Sequence, residues 1–180
     1  DIFSRWYLKK SENLTYNFNV MNGFNDVNAL VEGYVFTNFN SIARGNSQLE
    51  NSLVTSHRLN YSKYNLYNFT TIFGGIGYTT TKNPVVNGIL FQSIYSTSDR
   101  LNLDAENENL NGNVFYSKSF QKYYKLTAGI NASWNRNFVL NRRLVNGNTQ
   151  EFIQGIENVN HGYNLAFATQ FKKYPNVDLG

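Results

Sequence analysis

In the run Tyr124-Lys125-Leu126-Thr127-Ala128-Gly129-Ile130-Asn131-Ala132-Ser133-Trp134-Asn135, the apolar side chains fall on even positions and the polar or small ones on odd positions. The alternation continues through Phe138 and Leu140 on one parity and Asn137 on the other. A period of two places successive side chains on opposite faces of a strand, whereas a helix would scatter them around its circumference. The pattern predicts a strand over residues 123–140 with one apolar and one polar face.

Working outward, the same period recurs. Residues 158–171 set Val159, Tyr163, Leu165, Phe167 and Phe171 against Asn158, Asn160, Gly162, Asn164, Ala166 and Gln170. Residues 14–20 alternate Leu14, Tyr16, Phe18 and Val20 with Thr15, Asn17 and Asn19, and residues 51–63 alternate Leu53, Thr55, His57, Leu59 and Tyr61 with Ser52, Ser56, Arg58, Asn60 and Ser62. Residues 65–80 and 110–120 read as less regular strands, the former carrying Gly74, Gly75 and Gly77. Helix signals are poor, with at most a turn or two near residues 25–32.

Composition narrows the class. The 180 residues include 29 aromatics, 30 asparagines, 2 prolines and no cysteine, with 16 Lys plus Arg against 12 Asp plus Glu. So many aromatics and so few charges supply enough apolar surface to offset conformational entropy, which argues against disorder. The missing cysteines remove disulfides, thiolate nucleophiles and Cys-based zinc sites. No apolar run approaches the length of a membrane helix, and Asp1-Ile2-Phe3-Ser4-Arg5-Trp6 has no signal-peptide character. A formal charge of +4 without basic residues interleaved with aromatics along one face gives no support for nucleic-acid binding.

Connections are unequal in a regular way. Short polar turns, mostly carrying lysine, are expected at residues 9–13, 63–65, 121–122 and 172–176. Long polar excursions are expected at 21–50, 81–109 and 141–157. Successive connections of an antiparallel meander fall at opposite ends of the sheet, so the short turns share one rim and the long ones the other, as in outer-membrane barrels. Soluble sheets usually decorate their wet face with Lys and Glu, yet here the polar parity is built from Asn, Ser, Thr and Gly. Several predicted strands exceed the usual five or six residues or so and reach the roughly 9–11 that a tilted membrane strand needs. Aromatics beside the short turns, among them Trp6, Tyr7, Tyr61, Tyr64, Tyr67, Phe69, Phe120, Tyr123, Tyr124, Phe171 and Tyr174, form the girdle expected where rings meet lipid headgroups. The expected fold is all-β, an antiparallel up-and-down transmembrane β-barrel, with residues 1–180 a single segment of about seven to eight long strands. The alternative for the same pattern is a soluble β-sandwich whose aromatics are its core.

In that barrel, Leu126, Ala128, Ile130, Ala132, Trp134, Tyr163, Leu165 and Phe167 face lipid, and Thr127, Asn131, Ser133, Asn135, Asn160 and Asn164 face the lumen. At Ala43-Arg44-Gly45-Asn46-Ser47-Gln48-Leu49-Glu50, followed by a long alternating strand, the chain resembles the later part of the barrel of TonB-dependent outer-membrane receptors, especially Asn-rich members from Bacteroidetes-type bacteria. Gly45, Asn46, Leu49 and Glu50 match the family element, a Gly-Asn pair followed by Leu and an acidic residue. Ser47 and Gln48 stand where the family usually has prolines around the leucine. The residues that look like the family span 13–80.

That resemblance implies an outer-membrane location and uptake of a ligand, with bilayer lipid, the remainder of a barrel of about 22 strands and a plug as partners. It also implies TonB and, in some members, a surface lipoprotein. No plug domain or TonB box is visible among these residues, and the chain stops in mid-strand, so a portion of a longer polypeptide is expected. The long loops would bind the ligand, and Tyr34, Phe36, Phe39, Phe91 and Tyr95 are candidate contacts by analogy. Two other roles are carried forward: a receptor-like barrel serving as a scaffold subunit of a larger outer-membrane complex, and a soluble β-sandwich binding module.

Catalytic chemistry is not indicated. His57 and His161 have no carboxylate or second ligand placed beside them. There is no Gly-x-Ser-x-Gly turn, and Gly74-Gly75-Ile76-Gly77 lacks the spacing of a phosphate loop. Asp104, Glu106 and Glu108 put three carboxylates within a short loop, a set that can hold Ca²⁺, but without the glycine and downstream glutamate of an EF-hand. A solvated acidic loop is the simpler expectation, so no enzyme and no cofactor is expected. Four Asn-x-Ser/Thr sequons follow from the abundance of asparagine.

Overall fold

The computed structural model describes residues 1–92, 94–121, 123–145, 147–172 and 174–180. Ser93, Lys122, Asn146 and Lys173, which the sequence reading put in turns or excursions, lie outside the described residues.

The protein is all-β, a single curled open sheet. Its strands are β1 (Ile2–Lys9), β2 (Glu12–Gly23), β3 (Tyr34–Asn38), β4 (Ser41–Arg44), β5 (Ser52–Asn65), β6 (Thr70–Lys82), β7 (Val85–Gln92), β8 (Tyr95–Asn102), β9 (Glu106–Phe120), β10 (Tyr124–Val145), β11 (Asn148–Thr169) and β12 (Asp178–Leu179). One short helical turn, α1 (Val27–Leu30), begins where the Asp26 side chain accepts from the Asn28 amide at 2.8 Å, within the span expected to hold a turn or two.

Eight strands form a meander in which each pairs antiparallel with the next, in the order β1-β2-β5-β6-β9-β10-β11-β12. The two long excursions are not loops. Residues 24–51 contain the β3–β4 hairpin and residues 83–105 the β7–β8 hairpin. β7 joins β10 in parallel at Asn141 and Ile89, and β8 joins β4 in parallel from Ser41–Ser96 to Arg44–Asp99. The expectation is about seven to eight long antiparallel strands; the described residues form a mixed sheet of twelve, since the short strands of the excursions add two parallel pairings. Short β-branched and aromatic runs in the excursions, such as Tyr34-Val35-Phe36, pair with each other and need no long amphipathic period to do so.

Two further boundaries differ from the sequence reading. Residues 141–157, expected as a third excursion, continue β10 and β11 as a hairpin paired without a register shift from Tyr124–Thr169 to Val145–Asn148. Polar residues there pair as well as apolar ones because neither face of this extension needs a core. The turn expected at residues 63–65 sits at 66–69, because the Asn65 carbonyl oxygen of the side chain accepts from the Tyr67 amide at 2.9 Å and fixes the turn after it.

The register joins the separate parities into two continuous faces. Trp6, Leu14, Tyr61, Gly74, Val114, Ile130 and Tyr163 form one unbroken cross-strand row. On the opposite face, Arg5, Thr15, Asn60, Gly75, Asn113, Asn131 and Gly162 form another. We call these the apolar and the polar face. On the polar face the Asn131 side chain lies over Gly162, and that of Asn164 over Gly129, so that a Cβ at either glycine would collide with the amide across the pair.

No second layer of described residues covers the apolar face. The only buried apolar side chains among them are Ala29, Leu103 and Leu140. The surface of 12852 Å² exceeds the roughly 8,900 Å² typical of a folded monomer of 20.7 kDa. The described residues thus form one layer that leaves the apolar face uncovered among them.

Candidate functional site

Three surfaces carry the chemistry. The first is the apolar face. Leu126, Ala128, Ile130, Ala132 and Trp134 of β10 oppose Phe167, Leu165, Tyr163, His161 and Val159 of β11, and Tyr116, Val114 and Leu110 of β9 lie on their other side. The lipid-facing residues named from the sequence are therefore brought together on one surface. Ile130 and Leu165, 54% and 68% exposed, stand in the middle of it. At the short-turn end, Tyr124 stacks on Phe167 at 5.9 Å, and Phe171 meets Tyr123 and Tyr124 at 5.8 and 5.7 Å. At the other end the band finishes in the row Trp134, Leu110, Tyr78, His57 and Phe18. There the His57 Nδ1 lies 2.8 Å from the Tyr16 hydroxyl and its ring packs 4.8 Å from Phe18. His161 packs against Tyr163 at 5.6 Å.

Much of the charge on this face lies towards its margins and part of it is paired, while Lys118, beside Leu126, lies 5.0 Å over the Phe120 ring. Glu12 bonds Lys63 beside the short turns. Beyond the Trp134 row, Glu108 binds Arg136, and the Tyr78 hydroxyl donates to it at 2.6 Å. Farther out, Arg142 is held by Asp99 and, at 2.6 Å, by Glu151. Glu108 lies outside the apolar band, and the Tyr78 hydroxyl together with the Arg136 guanidinium hold its carboxyl below the usual carboxylate range. A depressed value means that this link contributes stability above the ordinary carboxylate range and loses it as pH falls through the folded-state value. Acidification is accordingly expected to lower the protection factors of the amides of residues 106–110, once exchange is corrected for its intrinsic pH dependence, and Glu108→Gln to abolish that loss. Protection factors at these amides that stay flat across the acid range in the wild type would sink the linkage.

The second surface is the polar face. Thr127, Asn131, Ser133 and Asn135 oppose Ala166, Gly162, Asn160 and Asn158, and Asn164 opposes Gly129, so the lumen-facing residues named from the sequence also share one face. Phe73 and Phe115 stack on it at 6.3 Å, two aromatics the sequence reading did not place there.

The third surface is a knot of asparagines where the excursions meet the start of β5. Asn46 anchors it: its amide donates to the Ala29 carbonyl at 2.7 Å, its side chain donates to the Arg100 carbonyl at 3.1 Å, and its side-chain oxygen accepts from the Gln48 amide at 2.9 Å. Asn25 reaches the carbonyls of Leu49 and Glu50, and Asn102 binds both the amide and the carbonyl of Glu50 and, at 3.0 Å, the Asn83 carbonyl. Gly45 lies so close to the carbonyls of Val31 and Ala29 that no Cβ fits. The residues that carry the family resemblance, Gly45, Asn46, Leu49 and Glu50, thus tie α1, β4, β8 and the start of β5 through backbone contacts. The geometry gives them a structural task. The side-chain signal for it, paired asparagines at 25, 46 and 102, was hidden by the abundance of asparagine elsewhere.

The candidate ligand-loop aromatics do not converge. Tyr34 lies under the Arg44 guanidinium at 5.5 Å, beside a cleft of about 380 Å³ that Asp99, Arg142 and Glu151 also line. Phe36 and Phe39 are exposed on the β3–β4 hairpin, and Phe91 points to the face opposite Tyr34 and Tyr95. Asp104, Glu106 and Glu108 form no metal-ligating cluster among the described residues, since Glu108 is committed to Arg136 and Tyr78.

These features define a class: an all-β sheet with one apolar and one asparagine-rich face, crowned by strand-forming excursions. No helix among the described residues is long and apolar enough to cross a membrane. Comparison with protein-family models, with curated proteins and with solved structures finds no match for the chain.

Proposed function

We propose that the chain is part of an outer-membrane β-barrel similar to TonB-dependent receptors, with its apolar face in lipid, its polar face lining the lumen and its excursions outside the bilayer. The carrying observation is the pair of continuous faces: alternation in every long strand falls into register across the meander, leaving an uncovered apolar band bounded by aromatic rows. A bilayer supplies the covering layer that the described residues do not, and the absence of Lys, Arg, Asp and Glu from Leu126 to Trp134 of β10 avoids the roughly 2–4 kcal/mol cost of a midplane cation on that strand. Ligand uptake is the role this arrangement supports best, because an Asn/Ser/Thr lumen offers hydrogen bonds to a polar solute. The scaffold role differs by the parent polypeptide lacking a plug and TonB box.

The test is fractionation of the source cells with an antibody against residues 141–157, comparing boiled and unboiled samples. The reading expects a heat-modifiable band in the outer-membrane fraction. A soluble band whose mobility is unaffected by heating would overturn it.

A further inference from the structure

We infer that the polar face receives an anionic, hydroxyl-rich ligand, an acidic oligosaccharide; this rests on the lumen assignment proposed above. The observation is a segregation of charge between the two faces. The carboxylates of strands β1–β11, namely Glu12, Asp99, Glu106, Glu108, Glu151 and Glu157, all fall on the face that carries Ile130 and Trp134. Arg142, Arg136 and Lys63 share that face and pair with all of them but Glu106. On the polar face the same strands place Arg5, Arg58, Arg100, Lys125 and Arg143 and no carboxylate. None of these five forms an ion pair among the described residues.

The two adjacent arginines illustrate the rule. Arg142 is clamped between Asp99 and Glu151, while Arg143 points the other way, 5.9 Å over the Phe152 ring. The free cations are spread from rim to rim. Lys125 lies at the short-turn end, Arg5 and Arg58 lie in the middle rows beside Asn60, Asn17 and Gly77, and Arg143 and Arg100 lie at the level of the excursions.

A polar surface whose charges are of one sign concentrates solutes of the opposite sign. Between the cations the face is asparagine, serine and threonine, groups that both donate to and accept from hydroxyls. Planar guanidiniums bind carboxylates and sulfates with two parallel hydrogen bonds. Cations at successive levels, separated by amides and hydroxyls, match a chain of sugars bearing acidic groups better than a compact anion.

The experiment measures binding of tetragalacturonate and of its neutral methyl ester to the full-length protein in detergent by titration calorimetry. The acid is expected to bind at least about tenfold more tightly than the ester, with affinity falling as salt rises. Arg58→Gln and Arg143→Gln are each expected to weaken the acid about tenfold and leave the ester unchanged, while Lys118→Gln on the other face changes neither. Each variant is first checked for heat-modifiable mobility, so a folding defect is not read as lost binding. Equal binding of acid and ester, no binding of either, or insensitivity to Arg58 and Arg143 by a protein that is heat-modifiable in the outer membrane overturns the anion assignment alone. A soluble protein overturns the barrel reading beneath it.

Discussion

Ile130→Arg is expected to reduce assembly into the outer membrane sharply, while Asn131→Arg assembles near the wild-type level. Ile130 is the centre of the apolar band, flanked by Val114 and Tyr163 and more than half exposed. On the proposed lipid assignment a guanidinium there sits in hydrocarbon, at a cost of roughly 2–4 kcal/mol, which corresponds to roughly 30- to 700-fold in the folding equilibrium. Asn131 is the next residue and faces the other way, between Asn113 and Gly162, where a longer side chain extends over a glycine along the polar face. The pair isolates facing from every other variable, because both changes introduce the same side chain one position apart. The fraction of heat-modifiable protein in isolated outer membranes is the readout. Equal assembly of the two variants would show that the faces are wrongly assigned.

Gly45→Ala is the second large effect, and its site is elsewhere. The alanine methyl would overlap the carbonyl oxygens of Val31 and Ala29, and backbone atoms cannot swing aside as the end of a side chain can. Overpacking of this kind costs about 1–3 kcal/mol. The strain falls on the knot, because Asn46 would be displaced from the Ala29 and Arg100 carbonyls it bonds. Protease cleavage within residues 24–50 should therefore quicken roughly 5- to 100-fold, as opening precedes cutting. Heat-modifiable mobility should be unchanged, since β2 and β5 pair over twelve positions below the knot. Cleavage at the wild-type rate would mean that the contact relaxes at little cost and that Gly45 is dispensable.

The long strands were legible because they are long. β10, β11, β2 and β5 each repeat the two-residue period several times, so a single exception such as Arg136 or His161 does not obscure it. β3, β4, β7 and β8 were not, as at four to eight residues each they offer too few repeats and sit in polar surroundings. Their pairing partners are distant in sequence, β4 with β8 and β7 with β10, and no local rule names such partners. For the same reason the 141–157 stretch looked like a loop: its polarity carried a loop signature, but its neighbours supply the hydrogen bonds of a strand.

The candidate sites divide similarly. The apolar and polar sets, Leu126 to Trp134 and Thr127 to Asn135, follow from alternation alone, and the sequence already put Arg58 and Lys125 on the polar parity. That the strand carboxylates sit on the other face became visible only with the cross-strand register, because no strand by itself carries more than two carboxylates and no count over so few has meaning. The candidate aromatics of the excursions were selected by residue type, and the structure sends Tyr34 and Phe91 to opposite faces.

Local covalent periodicity determined that this chain makes two-faced strands, since the direction of each Cβ follows from its position in the strand and the residue order is enough to read it. Register, the joining of seven such strands into continuous faces, the turning of the excursions into paired hairpins and the knot at Gly45 and Asn46 belong to the tertiary structure. They depend on hydrogen bonds between residues far apart in the chain, whose partners are chosen by the whole sheet at once and by no segment of it.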